Sequence, residues 1–298
     1  MKKGLIITAV VLIVAGIALF TAALVAAGFD LSKLSGENYV TNTYTVDEKF
    51  TGVSVKTSQT DVIFKLSEDG KVKVVCEERE KVRHSVTVEN GTLTISAVNK
   101  REWYDYLAIF SKHLTMTVYL PSDDYGSLNV KTDTGSVAVP VDYSFDSADV
   151  CTSTGSIVFK AKEVGSLKLK SSTGAVTVEG CAAESVDVSV STGKVVLSSV
   201  DCGSFVTNGS TGSVALKNVV ASGSFKIERA TGNVNFDMCD AAEITVKTST
   251  GNVKGSLLTA KTFVAKSSTG RVSVPDSVSG SRCEITTSTG NIEITVKR

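Results

Sequence analysis

The sequence predicts an all-β chain wound as a single-stranded parallel β-helix, a β-solenoid of 19–20 residue rungs, preceded by one amino-terminal transmembrane helix. Three observations predict it. The pair Thr-Gly starts at Thr134 and returns at Thr154, Thr173, Thr192, Thr211, Thr231, Thr250, Thr269 and Thr289, always 19 or 20 residues on. A fixed period of that length marks stacked units that bury their apolar faces only against one another. Apolar residues also recur at set offsets around each pair: three residues after the Thr stand Val137, Ile157, Val176, Val195, Val214, Val234, Val253, Val272 and Ile292. Finally, no charged residue occurs from Gly4 to Phe29, a run longer than the roughly 20 residues that cross a bilayer as a helix.

In chain order, residues 1–3 read as a cytoplasmic stub and 4–29 as the transmembrane helix or uncleaved signal anchor. Lys2 and Lys3 favour a cytoplasmic amino terminus, which puts the rest of the chain outside. Cleavage after Val25-Ala26-Ala27 is the competing reading, because small residues stand where a signal peptidase acts. Residues 30–38 form a polar linker. Residues 39–127 read as an irregular β part that caps the solenoid. Within it, Glu68-Asp69-Gly70-Lys71 and Glu89-Asn90-Gly91-Thr92 are turn signals, and Asn-Gly between alternating runs predicts a hairpin with arms at 85–88 and 93–96. The stretch Ser58-Gln59-Thr60-Asp61-Val62 resembles a degenerate corner with Asp61 in the glycine slot. Around 99–114 the pattern breaks, and Trp103, Tyr104, Tyr106 and Phe110 are either a cap over the open end or a candidate contact surface.

Regular repeats fill 128–298. Each rung consists of two alternating strands joined at a corner by Gly135, Gly155, Gly174, Gly193, Gly212, Gly232, Gly251, Gly270 or Gly290. Glycine suits a corner whose backbone is closed to other residues. A third inward column is read at Cys181, Val200, Val219, Cys239 and Leu258. The stack predicts a rod of roughly 40 Å at about 4.8 Å per rung. The last strand, 293–298, reads as an open edge whose terminal charges discourage pairing and which could still serve as a dimer surface.

Composition narrows the function. Lys plus Arg equals Asp plus Glu at 31 each, which disfavours a nucleic-acid binder, since phosphates demand a basic excess. The two histidines, His84 and His113, show no metal-ligand spacing with cysteine or carboxylate. The six cysteines at 76, 151, 181, 202, 239 and 283 read as free thiols filling the core, with Cys181 and Cys202 the one plausible neighbouring pair. Asp133, Asp149, Asp187, Asp201 and Asp237 lie at different offsets from the corner, so the carboxylate column of polysaccharide-cleaving β-helices is not expected. No catalytic, cofactor-binding or metal-binding residue is predicted, and the chain is not read as an enzyme. The Thr-x-Thr spacing at 132/134, 152/154, 248/250 and 287/289 resembles the threonine ladder of ice-binding solenoids, interrupted by Val190, Gly209 and Arg229.

With the apolar segment, Tyr119-Leu120-Pro121 and rungs of the type x-Val-x-Ser-Ser-Thr-Gly-x-Val-x-Val in view, the chain resembles the bacterial putative-adhesin family of LiaG-like proteins over 39–298. The resemblance implies an envelope-associated β-solenoid of Gram-positive type, with adhesion or envelope-stress signalling as its roles, and implies no catalytic residues. The expected function is a membrane-anchored, cell-surface adhesin-like or envelope-scaffolding module. Its expected partners are the membrane and a cell-wall polymer, glycan or envelope protein. The alternatives are an accessory component of an envelope-stress sensor, which needs a membrane partner, and a polysaccharide-active β-helix enzyme.

Overall fold

The computed structural model describes residues 2–29, 38–99, 113–121, 124–276 and 279–297. The aromatic group Trp103, Tyr104, Tyr106 and Phe110 lies outside them. Helix α1 (Lys2–Ala26) contains a segment long and apolar enough to cross a membrane. Its hydroxyls are satisfied within the helix: Thr8 Oγ1 donates to Gly4 O at 3.0 Å and Thr21 Oγ1 to Ile17 O, as an apolar medium requires. Gly28, at φ 66°, ends the helix, with Gly28 N donating to Val25 O and Phe29 N to Leu24 O, the double bond of a Schellman cap.

All the described strands join one sheet. The amino-terminal ones are β1 (Tyr39–Val46), β2 (Gly52–Thr57), β3 (Thr60–Leu66), β4 (Val72–Arg79), β5 (Val82–Glu89), β6 (Thr92–Asn99) and β7 (Leu114–Leu120). The rungs follow as β8 (Asp124–Thr134), β9 (Val137–Val139), β10 (Ser144–Thr154), β11 (Ile157–Phe159), β12 (Glu163–Thr173), β13 (Val176–Glu179) and β14 (Ala182–Thr192). The chain continues through β15 (Val195–Thr211), β16 (Val214–Thr231), β17 (Val234–Thr250) and β18 (Val253–Leu257). It ends with β19 (Lys261–Thr269), β20 (Val272–Ser273), β21 (Ser281–Thr289) and β22 (Ile292–Val296).

From β8 to β18 each rung lies parallel on the one before, with Val150 on Val130, Leu169 on Val150 and Val188 on Leu169, and the register shifts locally after Cys202, Ala221 and Phe236. The inward columns are buried, and β-branched side chains fill them because their restricted χ1 suits a pleated interior. The third column is Cys181, Val200, Val219, Cys239 and then Leu257; a register shift at Gly255 turns Leu258 outward.

Each corner glycine stands on the one below. Gly193, at φ 153°, has Gly174 O 1.9 Å from where a Cβ would be, and its N–H donates to Thr211 O at 2.9 Å. Two residues before each corner Thr, the side chain points inward. Thr152 Oγ1 donates to Gly135 O at 2.9 Å, Ser171 Oγ to Gly155 O at 3.0 Å and Thr287 Oγ1 to Gly251 O at 3.1 Å. One half of each Thr-x-Thr pair is therefore buried, and no exposed double threonine ladder of the ice-binding kind forms here. Where the ladder breaks, Arg229 fills the space left by Gly209. Its Nη1 donates to Val190 O and its Nη2 to Thr207 Oγ1, both at 2.9 Å.

At the amino-terminal end, β2 lies between β8 and β6, and β3 between β9 and β7, all parallel. Val62 aligns with Val137, and the Cβ position of Gly135 meets Thr60 O. Thr60, not Asp61, therefore holds the glycine slot. Asp61 instead accepts from Ser136 N at 2.6 Å. The Asn90-Gly91 turn has both residues at positive φ, 51° and 73°, and joins β5 to β6 as the expected hairpin. Strand β4 runs antiparallel to β7 and to β1, so this end is closed by strands of opposite direction.

The other end departs from sequence order. β17 pairs with β21, and β19 pairs with β21 rather than β17; likewise β22 lies between β18 and β20. The final strand is interior, and the open edge is 261–273, where Val264 and Val272 are exposed. The asparagines after the corners explain this order. Asn252 N donates to Asn233 Oδ1 at 2.8 Å, Asn291 N to Asn252 Oδ1 at 2.7 Å and Arg271 N to Asn291 Oδ1 at 2.9 Å. Sequential stacking would place Arg271 between two asparagines and break the chain of acceptors. Lys261 crosses the inserted rung: its buried ammonium meets Ser281 Oγ at 2.9 Å and Asp240 Oδ1 at 2.6 Å.

Candidate functional site

Besides the glycine corner, each rung bends at a second corner, eight residues before its Thr. There Gly126, Asp146, Gly165, Glu184 and Gly203 stack, glycine alternating with acid. The glycines approach the strand below closely: a Cβ at Gly165 would lie 2.4 Å from Asp146 O, and one at Gly203 2.4 Å from Glu184 O. Bare backbone between acidic side chains leaves an open groove of about 860 Å³. Two residues earlier, the exposed Asp124, Glu163 and Asp201 add a parallel row, spaced by Ser144 and Ala182. Five carboxylates from five successive rungs thus face one groove, and among the described residues no lysine or arginine lines it.

The floor is rigid. Tyr125 and Phe145 are buried beneath it with ring centroids 6.0 Å apart, and Phe145 continues to Phe159 at 6.4 Å. The row spans four rung spacings, roughly 19 Å. Sequence reasoning missed it because it tested acids near the Thr-Gly corner. The signal was present, since Asp124, Glu163 and Asp201 all stand ten residues before their Thr, and Asp146 and Glu184 eight before theirs. The expectation that no carboxylate column forms is corrected accordingly.

A second constellation sits in the amino-terminal end. Along β4 the alternation Val74, Cys76, Glu78 points inward, and all three are fully buried. The turn at 80–81 brings β5 back, so that His84 N and Nδ1 meet Glu78 Oε1 at 2.5 and 2.8 Å. Asn42 Nδ2 donates to Glu78 Oε2 at 2.5 Å, and Tyr44 OH donates to it at 3.1 Å. Thr57 Oγ1 lies 3.3 Å from His84 Nε2. Burial, with Glu78 nearby, pushes the Cys76 thiol up to about 12, and burial with the same carboxylate raises the Tyr44 hydroxyl to about 12. The sulfur of Cys76, a Glu78 oxygen and a His84 nitrogen all lie within 4.8 Å of one another. The fold thus brings to His84 a cysteine and a carboxylate that spacing along the sequence did not place beside it. His113 sits elsewhere, exposed, with Nε2 2.6 Å from Asp61 Oδ2.

The sequence that builds this solenoid matches a known family. The profile of Toastrack DUF4097 covers residues 50–294. The chain belongs to this family. Among solved structures, this Toastrack chain is similar to a putative adhesin from Parabacteroides merdae ATCC 43184, at 13% identity and TM-score 0.55, over 87% of this chain and 96% of the other. It is also similar to a putative adhesin from Parabacteroides distasonis ATCC 8503, at 11% identity and TM-score 0.54, over 88% and 98%. These likenesses establish the fold. No curated protein matches the chain.

In this Toastrack chain the Thr-Gly corners belong to the stack itself, and the inward hydroxyls of Thr152 and Ser171 cap the carbonyls of Gly135 and Gly155. All six cysteines are free, five of them buried and Cys151 half-buried on the outward side.

Proposed function

We propose that this Toastrack protein is a membrane-anchored, cell-surface module that acts by contact, as an adhesin or envelope scaffold, and that the acidic groove is its contact surface. The observation that carries the reading is the row of five carboxylates from Asp124 to Asp201 on an aromatic-backed face. Repetition at the rung spacing suits an extended polymer better than a small molecule, and a row of carboxylates suits one bearing cationic groups. The apolar helix α1 supports a single-pass anchor with the solenoid outside. The putative-adhesin descriptions of the similar structures agree with a surface role. The reading is binding without turnover.

Detergent-solubilised full-length protein, incubated with cell-wall polymers with and without amino groups, tests it. Retention of the amino-bearing polymer should fall at least tenfold in Glu163→Gln/Glu184→Gln/Asp201→Asn, and it should weaken with salt. Equal retention by the triple variant removes the groove from the proposal. Release of shortened polymer replaces binding with catalysis.

A further inference from the structure

We propose that Cys76, Glu78 and His84 form a binding site for a divalent metal of the zinc type, which ties the β4–β5 hairpin into the amino-terminal end of the solenoid. Three different donors, a thiol, a carboxylate and an imidazole, converge within 4.8 Å in a buried setting. That mixture selects a borderline ion. Calcium and magnesium take oxygen ligands, whereas sulfur with imidazole suits zinc. Ligands of a tetrahedral zinc stand about 3.3–3.7 Å apart, so the 2.8 Å between His84 Nδ1 and Glu78 Oε1 opens by about half an ångström on binding.

The surrounding groups are those that orient metal ligands. Asn42 and Tyr44 hold Glu78 Oε2, and Thr57 sits on His84 Nε2, fixing the ring with Nδ1 toward the cluster. Without metal, Nδ1–H donates to Glu78 and Nε2 accepts from the Thr57 hydroxyl. On binding, a neutral His84 carries its proton on Nε2, which donates to Thr57 Oγ1, and Nδ1 bonds the ion. Cys76 gives its proton to solvent, and the thiolate bonds the metal. A cavity of about 690 Å³ lined by Tyr44, His84, Arg83 and Val98 opens beside the cluster, giving an entry path and room for water or the Tyr44 oxygen as fourth ligand.

The test uses chelator-stripped full-length protein in detergent, titrated with Co²⁺ and then Zn²⁺. A sulfur-to-cobalt charge-transfer band should grow to one equivalent, Zn²⁺ should abolish it, and excess Zn²⁺ should raise Tm by several degrees. Cys76→Ser should lose the band and His84→Gln should weaken binding at least tenfold, while Cys283→Ser, a buried thiol distant in the stack, should match wild type. X-ray absorption of the zinc-loaded wild type should show one sulfur among nitrogen and oxygen ligands, which decides the matter even where a variant does not fold. No band and no Tm shift overturn the proposal and leave a hydrogen-bonded cage. A band that survives in Cys76→Ser, or a shell without sulfur, overturns it as well.

Discussion

Replacing Gly193 by alanine should destabilise the solenoid far more than the same change at Gly180. Both glycines have positive φ, 153° and 66°. At Gly180 nothing lies within 4 Å of the added Cβ, so the cost is the left-handed conformation alone, about 1 kcal/mol. At Gly193 the Cβ falls 1.9 Å from Gly174 O, and relieving that contact parts two rungs by about 1 Å in an interior that has no slack. The torsion costs about 1–3 kcal/mol. The loosened bonds from Gly174 N to Thr192 O and from Val176 N to Lys194 O add about 1 kcal/mol each. The sum is about 3–5 kcal/mol, which at about 2–4 °C per kcal/mol for a domain of this size lowers Tm by roughly 10 °C. Gly180→Ala should lower it by about 2–4 °C. Differential scanning calorimetry of both variants reads the difference. Equal shifts would refute the argument that the corners are closed by stacked backbone.

Introducing Ile244→Cys should give a disulfide with native Cys283, found by peptide mapping, because these residues face each other across adjacent rungs; sequential stacking would pair position 244 with Phe263 and yield none. Lys261→Met strands Asp240 beneath the last rung and should cost about 3 kcal/mol, read as a lower urea midpoint. Burial raises Cys181 and Cys283 to about 12 and Cys202 to about 11. These folded values exceed the unfolded one of about 8.5, so their contribution is whole below that pH and is lost as pH rises toward 12. The urea midpoint should fall from pH 8 to pH 10, and Cys181→Ala/Cys283→Ala should flatten the fall.

The period of the Thr-Gly pair made the rungs legible, because a stack of identical units forces the same side-chain type at the same offset. Stacking order was not legible from period alone, which is the same whether rung 281–296 follows or precedes 261–273 in space. Only the trio Asn233, Asn252 and Asn291, interrupted in sequence by Arg271, carried a hint. The acidic groove arises at a corner without a repeated residue, where Gly165 and Glu184 alternate, so a search anchored on Thr-Gly passed over it. The cluster at Cys76 was harder still. Cys76 and Glu78 share a strand face, but His84 reaches them through a turn pairing Arg79 with Val82, a register that spacing does not reveal.

The inserted position of β21 and β22 bears on how the solenoid carries tension between its two ends. An edge strand peels, breaking its ladder one bond at a time. Strand β22 lies between β18 and β20, and Lys254 on one of these neighbours grips Glu293 at 3.0 Å. Tension applied beyond Val296 therefore loads two ladders in shear before any rung can come away. The outer rung 261–273, with its buried Lys261 fastened to Asp240, acts as a latch over the strand that bears the load.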